Sequence, residues 1–180
     1  MPGAIAPMGL FDPLGFSKNA DELTLKRYRE AELTHGRVAM LATVGFLAGE
    51  AAAGKSFLWD ASVTGPAISH IPQIPPAFWA VLTICIGRAE FYRAETAFVE
   101  PENLRYDRQY QLRPEYTPGD LGFDPLGLMP DDPDEFAIMQ TKELQNGRLA
   151  MLAAAGFFAQ EAVNHQGILE NLSNLPKYQG

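Results

Sequence analysis

Residues 32–41 read ELTHGRVAML and residues 143–152 read ELQNGRLAML. Aligned at an offset of 111, positions 32–51 and 143–162 agree at thirteen of twenty places, among them Glu32/Glu143, Gly36/Gly147, Arg37/Arg148, Met40/Met151, Gly45/Gly156, Phe46/Phe157 and Glu50/Glu161. Self-similarity at a fixed offset is the signature of an internal structural repeat. It extends upstream, where LFDPLGF at 10–16 is echoed by GFDPLGL at 122–128. Three segments, at about 24–53, 76–97 and 134–164, read as helices; the middle one opens on a proline pair and has no copy. No alternating strand pattern of useful length is present. The plan is loop–helix, helix, loop–helix, with the first and third helices related by a pseudo-twofold axis.

Composition narrows the function. The chain of 180 residues has room for one compact domain. A net charge of −8 argues against a nucleic-acid partner, which wants a basic face. The single cysteine, Cys85, excludes a disulfide framework and a cysteine zinc site. Within VLTICIG it reads as a packed small hydrophobe. The N-terminal MPGAIAPMG carries no basic leader, so a protein working in an organelle is expected to be a processed chain.

Hydropathy alone does not decide between water and membrane. The mean hydropathy is −0.10, and each apolar run is short. A spanning helix needs about 20 mainly apolar residues. Two features favour the membrane. The runs are apolar all round, without a stripe. The basic residues are also asymmetric: Lys18, Lys26, Arg27 and Arg29 come first, and Arg105, Arg108, Arg113 and Lys142 separate the second and third helices. The intervening connection has only Lys55, and the tail only Lys177. Three spans put the basic segments on one side. The expected fold is an all-α membrane protein with three transmembrane helices, the first and third crossed.

The charged residues of the repeat need partners. Glu32 and Arg37 stand about 140° apart around a helix at ~100° per residue, which is poor geometry for pairing with each other. Crossed on a twofold axis, the helices can instead pair Glu32 with Arg148 and Glu143 with Arg37. Such pairs leave lone pairs over on each carboxylate. His35 and Asn146 each stand three residues beyond their glutamate, so each copy offers a neutralised carboxylate and a neutral base beside apolar walls. A bare ion wants several ligands together. A metal already held by a macrocycle, such as the magnesium of chlorophyll, needs one axial ligand.

These motifs, with FDPLG ahead of each repeat and AEFYR in the middle helix, resemble the light-harvesting chlorophyll-binding proteins of thylakoid membranes, over about residues 10 to 172. RYREAELTHGRVAMLA is most similar to the chlorophyll a/c antennae, of fucoxanthin or peridinin type, in red-lineage plastids. The resemblance implies a non-enzymatic antenna, a single pigment-binding domain over 1–180, multi-pass in the plastid thylakoid with its N-terminus on the stromal side. Implied cofactors are chlorophyll a, chlorophyll c and carotenoids such as fucoxanthin, peridinin or diadinoxanthin. Implied partners are a photosystem core, neighbouring antenna subunits and thylakoid lipids. Implied chlorophyll ligands are Glu32, His35, Glu90, Glu143, Asn146 and Gln160, with Arg37 and Arg148 paired to ligand glutamates and Arg93 beside Glu90. Asp12, Pro13, Asp124 and Pro125 would receive carotenoid ends, and Met40 and Met151 would line the grooves. The family pattern has a ligand histidine near the end of the tail and a polar residue at the position of Leu82; this chain has neither. His70 and His165 read as surface histidines, Trp59, Trp79 and Tyr92 as interfacial anchors or pigment packing, and MPDDPDE as a solvated helix entry.

Two other readings stand beside this one. A photoprotective member of the same family would dissipate excitation on the same scaffold. A soluble di-iron carboxylate bundle would use Glu32-x-x-His35 as one of two E-x-x-H motifs, but the second copy carries asparagine at 146.

Overall fold

The computed structural model describes residues 3–4, 9–57, 61–99 and 111–174. Trp59, Arg105, Arg108 and Lys177 lie outside the described residues. The elements are α1 (Glu22–Ala51), β1 (Ser56–Phe57), β2 (Ala61–Ser62), α2 (Pro76–Ala97), α3 (Pro133–Asn164) and α4 (Ile168–Asn174), with 3-10 turns at Ala67–Ser69 and Ile71–Gln73. The chain is therefore mostly helical. Among the described residues, the one ladder pairs Ser56 with Ser62 and Phe57 with Ala61.

The helix starts follow local chemistry. Asp21 caps α1 by accepting the Thr24 N–H at 3.3 Å. Asp132 caps α3 by accepting the Glu135 N–H at 3.1 Å, with Pro133 at the first helical position and Asp134 and Glu135 in the first turn. The acidic run is a helix entry, as its composition suggests. The α3 helix stops at His165, whose φ of 55° is left-handed.

The chain divides into two compact units, residues 1–37 with 86–148 and residues 38–85 with 149–180. In the first, the N-terminal half of α1 meets that of α3 at Gly36 and Gly147. A Cβ on either glycine would stand 3.0 Å from the other's Cα, so only hydrogen fits between the backbones. Ala97, Leu112 and Tyr116 form a buried cluster where the chain leaves α2 and returns through the Phe98–Leu112 bridge.

In the second unit, the repeat-equivalent Phe46 and Phe157 meet edge-to-face at 6.0 Å. The repeat-equivalent Glu50 and Glu161 both accept backbone N–H groups. Glu50 takes Ile168 and Leu169 at 2.6 and 2.7 Å, which caps α4. Glu161, fully buried, takes Ile68 at 2.8 Å in the first 3-10 turn. The α4 helix is absent from the sequence reading because its start depends on a carboxylate 118 residues away.

Two readings of single residues are corrected. His70 is buried at 6% exposure, not on the surface: it sits against Gly49 and bonds the Gly65 carbonyl at 2.9 Å. Cys85 is exposed on α2, not packed. It shares that exposure with Ile84 and Ile86, because α2 is apolar on all sides and only part of it is covered. The same holds elsewhere: Val38 and Leu149 are 61% and 67% exposed, and Leu41 and Leu152 are 75% and 74%. Among the described residues, no single helix is long and apolar enough to cross a membrane; the second half of α1 and of α3 and much of α2 nonetheless turn large apolar side chains outward.

Candidate functional site

The glycine contact brings the repeated charges together. Arg37 Nε donates to Glu143 Oε1, and Arg148 Nε donates to Glu32 Oε1, each at 2.7 Å. The two pairs are reciprocal, and all four side chains are about a third exposed.

Each arginine also reaches a glycine that sequence reasoning missed. Arg37 Nη2 donates to the Gly119 carbonyl at 2.9 Å, and Arg148 Nη1 donates to the Gly3 carbonyl at 2.7 Å. Both glycines are left-handed, with φ of 86° and 84°. Their N–H groups are placed equivalently: Gly119 donates to Glu30 Oε2 at 2.8 Å and Gly3 to Thr141 Oγ1 at 3.3 Å, and positions 30 and 141 are themselves 111 apart. A Cβ would collide with Leu33 at 2.6 Å from Gly119 and with Leu144 at 2.8 Å from Gly3. The only sequence signal is the Pro-Gly dipeptide at 2–3 and 118–119.

The symmetry breaks at the second oxygen of each glutamate. Arg29 Nη1 lies 3.2 Å from Glu32 Oε2, an ion-pair distance without hydrogen-bond alignment. The equivalent of Arg29 in the second copy is Gln140, and Glu143 Oε2 has no partner among the described residues.

The neutral bases point outward with one atom uncommitted. His35 is exposed, and its Nδ1 lies 2.7 Å from the Ala31 carbonyl. That contact makes Nδ1 the protonated nitrogen and leaves the Nε2 lone pair free. Asn146 is exposed, and its Nδ2 donates to the Lys142 carbonyl at 2.9 Å, which leaves Oδ1 free. Gln160 is half-buried on α3, without a side-chain partner among the described residues. On α2, Glu90 Oε2 accepts both Arg93 Nε and Nη2, at 3.0 and 2.7 Å, so Oε1 remains open. Each of these atoms suits a metal that needs a single axial ligand. Among the described residues, no group of three or more His, Cys, Asp or Glu side chains is placed to hold a bare ion, so the di-iron arrangement is not formed there.

The two FDPLG loops fold alike. Asp12 accepts the N–H groups of Phe16 and Ser17, four and five residues on; Asp124 accepts those of Leu128 and Met129 in the same way. The Ser17 hydroxyl, which also donates to Asp12, together with the backbone N–H of Ser17 and Phe16 holds that carboxyl below the usual aspartate value, and the Met129 and Leu128 N–H groups do the same for Asp124. Asp12 and Asp124 therefore organise their own turns. Beside the second loop lies a cavity of about 570 Å³, walled by Phe123, Asp124 and Leu128, by Leu33 and Arg37 of α1, and by Met139 of α3. Pro125, Met40 and Met151 do not line it, and neither does the loop carrying Asp12 and Pro13.

Two repeated helices are thus locked by reciprocal ion pairs at a glycine contact, and each carries an exposed neutral base with one polar atom uncommitted. Residues 1–162 match the family model described as chlorophyll a-b binding protein. The chain belongs to that family of light-harvesting, chlorophyll-binding proteins. It is 55% identical over 166 residues to a fucoxanthin-chlorophyll a-c binding protein of Isochrysis galbana, covering 91% of this chain and 77% of the relative. It is 51% identical over 176 residues to light-harvesting complex stress-related protein 3.2 of Chlamydomonas reinhardtii, covering 96% and 67%. It is 36% identical over 172 residues to chlorophyll a-b binding protein 6 of Arabidopsis thaliana, covering 91% and 64%.

Proposed function

We propose that the chain is a non-enzymatic thylakoid antenna subunit, spanning the membrane three times through α1, α2 and α3 as one pigment-binding domain, with its N-terminus stromal. The carrying observation is that His35 Nε2 and Asn146 Oδ1 each stand outward with the other polar atom fixed to the helix backbone. The outward apolar faces of the helices, Cys85 included, support lipid contact. Chlorophyll, when bound, supplies light absorption and excitation transfer through a ring whose magnesium takes one axial base. The protein supplies distance, orientation and local polarity.

In this reading His35, Asn146, Gln160, Glu90, Glu32 and Glu143 are axial ligands, and Arg37 and Arg148 neutralise the last two. An unpaired carboxylate at membrane depth costs about 2.5–3.5 kcal/mol or more, so the reciprocal pairs make carboxylate ligation tenable. The FDPLG loops at Asp12–Pro13 and Asp124–Pro125 receive carotenoid ends, the 570 Å³ cavity fits the second of these, and Met40 and Met151 line the grooves. The Isochrysis relative supports chlorophyll a with chlorophyll c and a fucoxanthin-type carotenoid. Excitation passes to a photosystem core through neighbouring antenna subunits.

The stress-related relative supports a second use of the same scaffold, dissipation rather than transfer. Pigment extraction of the protein purified from its native membrane tests the first reading: stoichiometric chlorophyll a with chlorophyll c supports it, and a colourless protein overturns it. The fluorescence lifetime of the same sample separates the uses, a long lifetime marking harvesting and a strongly shortened one dissipation.

A further inference from the structure

Glu30 is 4% exposed and stands two residues before the repeat. Its Oε2 accepts Tyr116 Oη–H at 3.0 Å and Gly119 N–H at 2.8 Å. Its Oε1 accepts Arg93 Nη1 at 3.2 Å. The same Arg93 nitrogen reaches Thr34 Oγ1 at 3.4 Å, whose own proton goes to the Glu30 carbonyl. The guanidinium is thus held by one edge on α1 and turns its other edge to Glu90 Oε2 on α2.

The repeat provides an internal control. Thr141 occupies the position equivalent to Glu30 and docks Gly3 as Glu30 docks Gly119. A neutral hydroxyl suffices for that task. The charge at position 30 has a different use: among the described residues it is ion-paired with Arg93, on the helix that has no copy. Left to itself, Arg93 with Glu90 is an i,i+3 helix pair, a weak and mobile arrangement. Anchored by Glu30, Arg93 is fixed in plane, and it divides its charge between two carboxylates.

We propose that Glu30 is the positioning residue for the α2 pigment ligand: through Arg93 it fixes Glu90 with Oε1 open. The inference rests on Glu90 being an axial ligand. Glu30 itself touches no pigment.

The test uses pigment-loaded protein and three variants. Glu90→Ala identifies the chlorophyll held on α2 by the absorption band that disappears. Glu30→Thr copies the second repeat, keeps the Gly119 contact and removes the charge. It is expected to assemble and to lose or shift that same band, and Glu30→Asp is expected to restore it in part. If Glu90→Ala loses no pigment, the ligand reading fails, and this proposal with it. If Glu90→Ala loses a pigment while Glu30→Thr leaves that band in place at full occupancy, the positioning role alone is overturned. Failure of Glu30→Thr to assemble also overturns it, because the carboxylate would then be required for docking the loop.

Discussion

Replacing Arg37 and replacing Arg148 should not cost the same, although the sequence makes them equivalent. Arg37→Leu removes the one cation paired with Glu143 among the described residues and frees the Gly119 carbonyl. The pair is about a third exposed, so that loss falls below the ~3–5 kcal/mol of breaking a fully buried pair. Arg148→Leu removes the same bonds from Glu32 and the Gly3 carbonyl, but Gln145 Nε2 still donates to that carbonyl at 3.2 Å, and Arg29 remains 3.2 Å from Glu32. At an effective dielectric of about 20, that distance gives roughly 5 kcal/mol of gross attraction. The side chains are 18% and 27% exposed and not aligned for a hydrogen bond. After desolvation and screening, a net benefit on the order of 0.5–1 kcal/mol remains. Arg37→Leu should therefore be the more damaging by that amount, or by roughly 1–4 °C in melting temperature for a chain of this size. The assay is thermal loss of visible circular dichroism from pigment-loaded protein. The double variant Arg29→Leu/Arg148→Leu should fall to the level of Arg37→Leu. Equal melting temperatures for the two single variants, or an Arg148 variant the weaker, would show that Arg29 does not compensate Glu32.

Other consequences are independent of that asymmetry. Gly119→Ala should cost about 1–3 kcal/mol from its left-handed φ plus its collision with Leu33, whereas Gly122→Ala, with open space at its Cβ, should cost the backbone strain alone; equal melting shifts would contradict the docking role. Gly147→Ala should force α1 and α3 apart and cost roughly 1–3 kcal/mol, with weakened assembly as the readout. Burial, reinforced by the Glu30 carboxylate, raises the Tyr116 phenol from 10.0 to about 12. Its contribution to stability is complete below pH 10 and is lost as pH rises through 12; an ultraviolet titration that, by difference from Tyr116→Phe, places this phenol at its ordinary value would refute the Glu30 contact.

What the sequence discloses depends on whether a contact is written at a fixed spacing. Glu32, Arg37, Glu143 and Arg148 recur at one offset, so the ion pairs follow from the repeat itself. Gly3 and Gly119 do the same work as each other but stand at different distances from their FDPLG loops, and a Pro-Gly dipeptide has no distinctive signal of its own. Glu30 is lost within the charged run KRYREAE, and only the folded chain sets it against Arg93. His70 reads as a surface residue because its burial depends on the missing side chain of Gly49. Asp12 and Asp124 are recognisable as special, but their carboxyls serve their own turns. The helices turn large apolar side chains outward, α2 along most of its length, so neither hydropathy nor periodicity separates a membrane helix from a buried one here.

If the outward base on each of the paired helices holds a chlorophyll, the pigment stoichiometry of a His35→Leu variant will show it. That change removes Nε2 while leaving Glu32–Arg148, Glu143–Arg37 and the glycine contact in place. The expected result is a folded protein with one chlorophyll fewer per chain and a single absorption band missing from the difference spectrum. A His35→Leu protein with its full pigment complement and an unchanged spectrum would contradict it.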